Sequence, residues 1–367
     1  MRSRRRAGPT DGSASTVAWV DELALPGGWY VACFSADLKS SSLARTVCGT
    51  PIVVFRSGGG ARALLDRCPH RNVPLSCGAV RDGLIECCYH GWRFDGSGAC
   101  RAVPGLIDPG VADRRARHVP SFPTIERDGL VWVQPSPLGD GGQPAAPPLR
   151  LPHLDEPGYS TVRRHVRFQA GLHACVENAL DVPHTAFLHR GLFRGGREPV
   201  EIDVAVRDRP DGVEAQYLGE PRPEGLVGRV LAPEGGVVTH VDRFLLPSVA
   251  QVEYRLGGNH LLDTAFFTPV SEHETDLHAV ITFRLRLPHA VIRPVITPIV
   301  NRILSQDATV LRRQAENTRR FGGEHHASTE LDVLGQHIRK LLKQAARGEA
   351  PTTGDGQPTE RRIRMRV

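Results

Sequence analysis

The chain has no run of roughly eighteen apolar residues, the length that a membrane-crossing helix needs. The nearest approach, residues 289–304, is interrupted by Arg293, Asn301 and Arg302, so no membrane span is expected. The first six residues are basic, but residues 7–15 hold no apolar stretch, which argues against a secretory leader. The eight cysteines (Cys33, Cys48, Cys68, Cys77, Cys87, Cys88, Cys100 and Cys175) do not fall into a disulfide framework, and a reducing, cytoplasmic setting is expected. No G-x-G-x-x-G is present. Gly58-Gly59-Gly60 is followed by no helical pattern, so it reads as the tip of a hairpin between residues 51–56 and 61–66 rather than as a phosphate loop. There is no internal repeat.

What is present fits an ordinary globular chain. Of 367 residues, 40% are hydrophobic and 23% charged, enough to build a core of normal size and two domains. The formal charge of +6 comes partly from arginine-rich ends, Arg2, Arg4, Arg5, Arg6 and Arg361, Arg362, Arg364, Arg366. These read as solvated tails, and no nucleic-acid partner is expected.

Two cysteine–histidine pairs stand out. Cys68-Pro69-His70-Arg71 is a C-x-H pair, and Cys87-Cys88-Tyr89-His90-Gly91-Trp92 contains a C-x-x-H pair. Thiolates with imidazoles suit zinc or iron–sulfur chemistry, not calcium or magnesium. A structural zinc site uses the same four ligand types, but zinc fingers group Cys with Cys and His with His, whereas here each pair is mixed. Two mixed pairs are what a [2Fe–2S] centre with Cys on one iron and His on the other requires. The spacing selects Cys87, not Cys88, as the partner of His90.

The C-P-H-R and C-x-Y-H-G-W motifs closely resemble the Rieske domain of ring-hydroxylating oxygenases. The resemblance implies that Cys68, His70, Cys87 and His90 bind a Rieske [2Fe–2S] cluster. Respiratory Rieske proteins bridge their two loops with a disulfide. The matching positions here are Val73 and Tyr89, which places the chain with the oxygenase and ferredoxin branch.

Taken in order, residues 1–16 read as a disordered N-terminus, residues 17–140 as the Rieske domain, 141–152 as a Pro- and Gly-rich linker, 153–346 as a second domain and 347–367 as a disordered tail. Strand-like runs recur from Thr161 to Leu287, with a helical interruption at about 169–190, and helices are expected over about 290–320 and 331–346. The fold class is therefore α+β: an all-β N-terminal domain, then an antiparallel sheet flanked by helices.

The helical interruption carries Asn178-x-x-Asp181-x-x-His184-x-x-x-x-His189. Alone, HxxxxH is most simply two ordinary histidines on a buried helix. On a straight helix, positions i and i+5 point about 140° apart, so one metal could not take both. Pro183 offers a break that lets the segment bend. The segment closely resembles the catalytic iron motif of Rieske non-haem iron oxygenases. That chemistry needs two His and one carboxylate on one face of iron, with other positions open. His184 and His189 are the expected nitrogen ligands. Asp276, Asp307, Glu316 and Asp332 are all possible third ligands. Asp307 is chosen because its helical neighbours Ile303, Leu304, Val310 and Leu311 are apolar, and a carboxylate there is costly without a cation. His153, His165, His173, His240, His260, His325 and His326 lack ligand spacing and read as structural.

The resemblance, over about residues 28–320, implies a Rieske-type oxygenase component, nearer the monooxygenase and demethylase branch. It would use O2 and electrons from an external NAD(P)H-dependent reductase, with or without a ferredoxin, to hydroxylate, demethylate, desaturate or cyclise a small hydrophobic substrate at a mononuclear Fe(II). The mildly basic body suits an acidic electron donor. By the same resemblance Asp181, with Asn178 beside it, links His184 to His70 or His90 of a neighbouring subunit in a head-to-tail homotrimer. The alternative is a Rieske electron carrier without oxygenase activity. Phe187, Leu192, Phe244, Leu246, Phe266 and Phe267 are candidate pocket walls.

Overall fold

A computed structural model describes residues 25, 27–107, 114–136, 147–192, 200–221, 238–286, 289–349 and 360–366. The first unit is built from three small antiparallel sheets. One joins Tyr30–Phe34, Leu130–Val133 and Thr124–Arg127; a second joins Leu43–Val47, Thr50–Ser57, Gly60–Leu65 and Ser121–Phe122; the third joins Ala79–Arg81, Leu84–Glu86, Arg93–Phe94 and Cys100–Ala102. The run Ile52-Val53-Val54-Phe55 is apolar at every position because the strand is buried on both faces. Ile52 and Val54 join one core cluster, while Val53 and Phe55 join another that lies beneath Cys68 and Cys87. The glycine triplet turns the expected hairpin, pairing Ser57 with Gly60 across Gly58 and Gly59, both at positive φ.

The second unit is an eight-stranded antiparallel sheet. In spatial order its strands are Ser160–Phe168, Glu274–Arg284, Asn259–Ser271, Val249–Leu256, Thr239–Leu245, Gly212–Leu218, Glu201–Arg209 and Glu360–Arg366. Among the described residues three helices accompany it: α1 (Leu172–Ala179), α2 (His289–Arg320) and α3 (Gly335–Ala346). A core of Phe168, Val176, Val204, Val213, Phe244, Phe267, Leu277, Leu311 and Ile338 lies between the sheet and these helices. Trp29, Val31, Phe34, Leu130 and Trp132 of the first unit pack with Leu245, Val249, Phe266 and Val280 of the second. The all-β domain followed by an antiparallel sheet with helices is the α+β class read from the sequence. Among the described residues, no helix is long and apolar enough to cross a membrane.

Two expectations need correction or qualification. The tail 347–367 is not wholly without structure, because Glu360–Arg366 is the outermost strand of the large sheet, paired with Glu201–Arg209. Its arginines masked a period-two pattern. Met365 is buried and Ile363 packs against the core, while Arg362, Arg364 and Arg366 reach Glu360, Asp203 and Glu201. The N-terminal stretch 1–16 and the first half of the linker, residues 141–146, lie outside the described residues, so those assignments remain expectations.

Candidate functional site

The two Cys–His tips are the same tight turn made twice. Asn72 N–H donates to the Cys68 carbonyl at 2.9 Å, and Cys68 N–H to that of Val73 at 2.9 Å. In the second tip Gly91 N–H donates to the Cys87 carbonyl at 3.0 Å, and Cys87 N–H to that of Trp92 at 2.8 Å. Asn72 and Gly91 both take positive φ, and at Gly91 a Cβ would also come within 3.1 Å of Pro104. The thiols of Cys68 and Cys87 are buried, while the His90 ring is exposed. The rings of His70 and His90 lie 4.5 Å apart, and His70 stacks on Trp92 at 4.8 Å.

Three features fit this donor set to a metal. His70 Nδ1 is buried and has no hydrogen-bond partner, as a lone pair reserved for a ligand bond would be. Desolvation, then His90 and Arg71 nearby, hold His70 below the usual histidine value, in the neutral form that binds metal. Burial pushes the Cys68 thiol up to about 11, with Cys87 beside it adding to the rise, so a thiolate here needs a cation. Cys87 is buried at the tip and Cys88 is exposed.

The second cluster forms where α1 ends. The helix stops at Ala179, and a single 3-10 turn, Pro183–Ala186, restarts the chain in a new direction. Proline at the first position of that turn is the break that the i, i+5 spacing demanded. His184 Nε2 and His189 Nε2 come to 3.2 Å of each other. Asp307 Oδ1, from α2, lies 3.1 Å from His189 Nε2 and 3.8 Å from His184 Nε2. All three ligand atoms fall within 4.8 Å of one another. Asp307 is buried, and its Oδ1 accepts no hydrogen bond. Of its apolar helical neighbours, Leu311 is buried and Ile303 and Leu304 line the adjoining cavity, whereas Val310 faces solvent.

The remaining ring nitrogens are held by the protein. His184 Nδ1 donates to the Asp181 backbone carbonyl, with the Asp181 carboxylate 3.5 Å away. His189 Nδ1 lies 3.0 Å from Gln306 Oε1. Each imidazole is thereby fixed with Nε2 turned inward, so two lone pairs and a carboxylate oxygen face one point. A metal cation satisfies that arrangement, and the donor set suits non-haem iron. Gln306 was not singled out in the sequence, although it sits directly before Asp307. His173 is not part of the cluster: its Nε2 lies 3.1 Å from the Gly335 carbonyl and ties α1 to α3.

A cavity of about 210 Å³ adjoins the cluster, lined by Asn178 and Asp181 on the helix side and by apolar side chains of the sheet and α2. Of the six candidate wall residues only Phe267 lines it. Phe187 is 84% exposed, Leu192, Phe244 and Phe266 belong to buried core clusters, and Leu246 packs against one of them. The other polar lining was not anticipated. His240 stacks between Tyr217 and Tyr254 at 4.4 and 4.2 Å, with Nδ1 2.6 Å from Glu220 and Nε2 2.9 Å from Asp242. Burial alone would lower its pKa, but Asp242 and Glu220 outweigh that and raise it to about 9, so the ring is a cation donating from both nitrogens. Asp263, on the same sheet, also reaches the cavity.

Comparison with known proteins follows this division. The Rieske [2Fe-2S] domain family matches residues 28–123, and the vanillate O-demethylase oxygenase C-terminal domain family matches residues 168–348. The oxygenase component of dicamba O-demethylase from Stenotrophomonas maltophilia is 38% identical over 187 residues, 49% of this chain and 52% of the relative. A putative toluene-4-sulfonate monooxygenase iron-sulfur subunit from Comamonas testosteroni is 40% identical over 166 residues, 44% of this chain and 45% of the relative. The chain thus spans about half the length of the curated relatives it matches. Among solved structures, dicamba monooxygenase bound to 3,6-dichlorosalicylic acid has a TM-score of 0.74 at 24% identity, covering 90% of this chain and all of that one. Pseudomonas putida NdmA with caffeine has a TM-score of 0.71 at 22% identity, covering 87% of this chain and 90% of that one. These structural likenesses establish the fold.

Proposed function

The chain belongs to the Rieske non-haem iron oxygenase family, and from that premise we propose that it is the oxygenase component of a multicomponent system that oxidises a small, largely apolar organic molecule with O2. The observation that carries this reading is the convergence of His184, His189 and Asp307 beside an apolar cavity, in a chain that also has a Rieske domain. A pure electron carrier has no use for a second metal site opening onto a substrate-sized chamber. Cys68, His70, Cys87 and His90 hold the [2Fe–2S] cluster, and His184, His189 and Asp307 hold the mononuclear iron. When bound, the cluster supplies single electrons and the mononuclear iron activates O2.

The chain's own residues do the rest. The Asp181 carbonyl and Gln306 lock the two ligand imidazoles, so the open side of the site points at the cavity. The apolar walls exclude water from the oxidising site. Electrons come from an external NAD(P)H-dependent reductase, directly or through a ferredoxin. The protein works in the cytoplasm, in keeping with eight cysteines that are all unpaired.

Asp181 has a second duty. Its backbone carbonyl already takes His184 Nδ1, and its carboxylate is about a third exposed. That leaves the carboxylate available to His70 or His90 of a neighbouring subunit in a head-to-tail homotrimer, a heterologous contact that closes on itself after three copies. Asn178 lines the cavity, and its backbone carbonyl accepts from the Asp181 N–H at 3.4 Å.

The test is Asp307→Ala. The variant should lose the mononuclear iron and all substrate-dependent O2 uptake, yet keep the visible and spin-resonance spectra of the cluster. Full activity in the variant would assign the third ligand elsewhere.

A further inference from the structure

The cavity beside the triad is walled by aliphatic and aromatic side chains, among them Leu261, Ala265, Phe267, Ile281, Ile299 and Ile303. Besides Asp181, Asp307 and the His240-bound Asp242, one further carboxyl, Asp263, lines it. Asp263 lies opposite Val252 on one neighbouring strand and Ile281 on the other, and Leu261 and Ala265 flank it on its own strand face. Every adjacent position on that face is apolar. Its Oδ1 is buried and accepts no hydrogen bond. Burial, with nothing to offset it, pushes the carboxyl up to about 6.

The buried acids around this sheet are treated differently. Asp242 and Glu220 grip His240; Asp276 is held by Arg167 and His165; Glu253 is held by Arg243, Arg255 and His260. Each of those is matched by a cation, and Asp307 belongs to the metal cluster. Asp263, half-buried with its Oδ1 enclosed, has no such counterpart among the described residues, and an unmatched carboxyl oxygen there lowers stability. No Lys or Arg lines the cavity among the described residues, and its one imidazolium, His240, is already taken by two carboxylates. Among the described residues the chamber therefore presents unmet negative charge and no free positive charge.

We propose that Asp263 is the specificity-determining residue of this chamber, and that the substrate is a small apolar molecule carrying one basic nitrogen, whose protonated amine pairs with the Asp263 carboxylate while the apolar remainder fills the cavity. The proposal rests on the oxygenase reading in taking this cavity as the substrate chamber. The incoming cation supplies the partner that the fold withholds, in a low-dielectric setting where a charge-assisted hydrogen bond counts most. An anion of the same shape meets an unpaired carboxyl instead and is rejected.

The experiment titrates the metal-loaded full-length protein calorimetrically with three probes of matched shape: 4-ethylbenzylamine, 4-ethylbenzyl alcohol and 4-ethylbenzoate. The amine should bind about tenfold or more tightly than the alcohol, and the benzoate more weakly than either. Asp263→Asn should remove the amine's advantage and leave the alcohol within about twofold. Asp263→Leu should do the same while raising the unfolding temperature by roughly a few degrees, because an apolar side chain replaces an unmatched carboxyl. A carboxyl that served the fold would give the opposite thermal shift. An amine that binds no more tightly than the alcohol, or an advantage that survives in both variants, overturns the proposal. Selectivity is read here without turnover. Iron content and O2 uptake, recorded on the same preparation, report on the oxygenase reading separately.

Discussion

Cys87 and Cys88 are adjacent, yet only one of the two thiols is buried. The Cys87 sulfur is buried beside Cys68, and that of Cys88 is exposed. Cys87→Ser should therefore abolish the spin-resonance signal of the cluster, and Cys88→Ser should leave it unchanged; the reverse pattern would reassign the ligand. Residues of this kind were legible in the sequence because ligand spacing along one loop is a local property. His184, His189 and the break at Pro183 were legible for the same reason. Asp307 required a further argument, from the cost of a carboxylate among apolar helical neighbours. His240 and Asp263 could not be read in that way. Their surroundings are made by cross-strand pairing, Asp242 with Val252 and Val252 with Asp263, and register is not written in any one strand. Asp263 sits between Leu261 and Ala265 in a strand whose residues are mostly buried on both faces, so no local alternation marks it.

At the scale of elements, the outermost strand Glu360–Arg366 shows what composition conceals. An arginine-rich segment reads as a solvated tail, but the partners of those arginines, Asp203 and Glu201, are some 160 residues away. Two side chains carry the docking, Ile363 and Met365, and Met365 is 3% exposed. Met365→Ala should cost about 2–3 kcal/mol in denaturant unfolding, as burial of that side chain implies. Arg364→Ala, at an exposed ion pair, should change stability by less than about 0.5 kcal/mol. Equal small effects from both would mean that the strand is not docked in solution. The helical interruption at 169–190 was anticipated as one segment. The structure divides it into α1 and a separate 3-10 turn, and the division is what allows both histidines to face one metal.

At the scale of the whole molecule, the order of the two units and the α+β class were legible from the motif order and the recurrence of strands. What holds the units together was not: Phe266 was expected in a pocket wall, and it packs instead with Trp29 and Trp132 between the units. The proposed trimer makes its own prediction. A variant without the cluster, Cys68→Ser, and one without the mononuclear iron, His184→Ala, should each be inactive. Trimers assembled from both should recover part of the activity, because a donor subunit and an acceptor subunit meet across an interface. Mixed trimers that form but stay inactive would confine electron transfer to one chain.

The central claim is that one chain holds both a Rieske cluster and a mononuclear iron. The most direct measurement is the iron and acid-labile sulfide content of the purified, reconstituted protein. An oxygenase component requires about three iron atoms and about two sulfides per chain. About two iron atoms with about two sulfides would contradict the account, leaving a Rieske electron carrier whose second domain binds no iron.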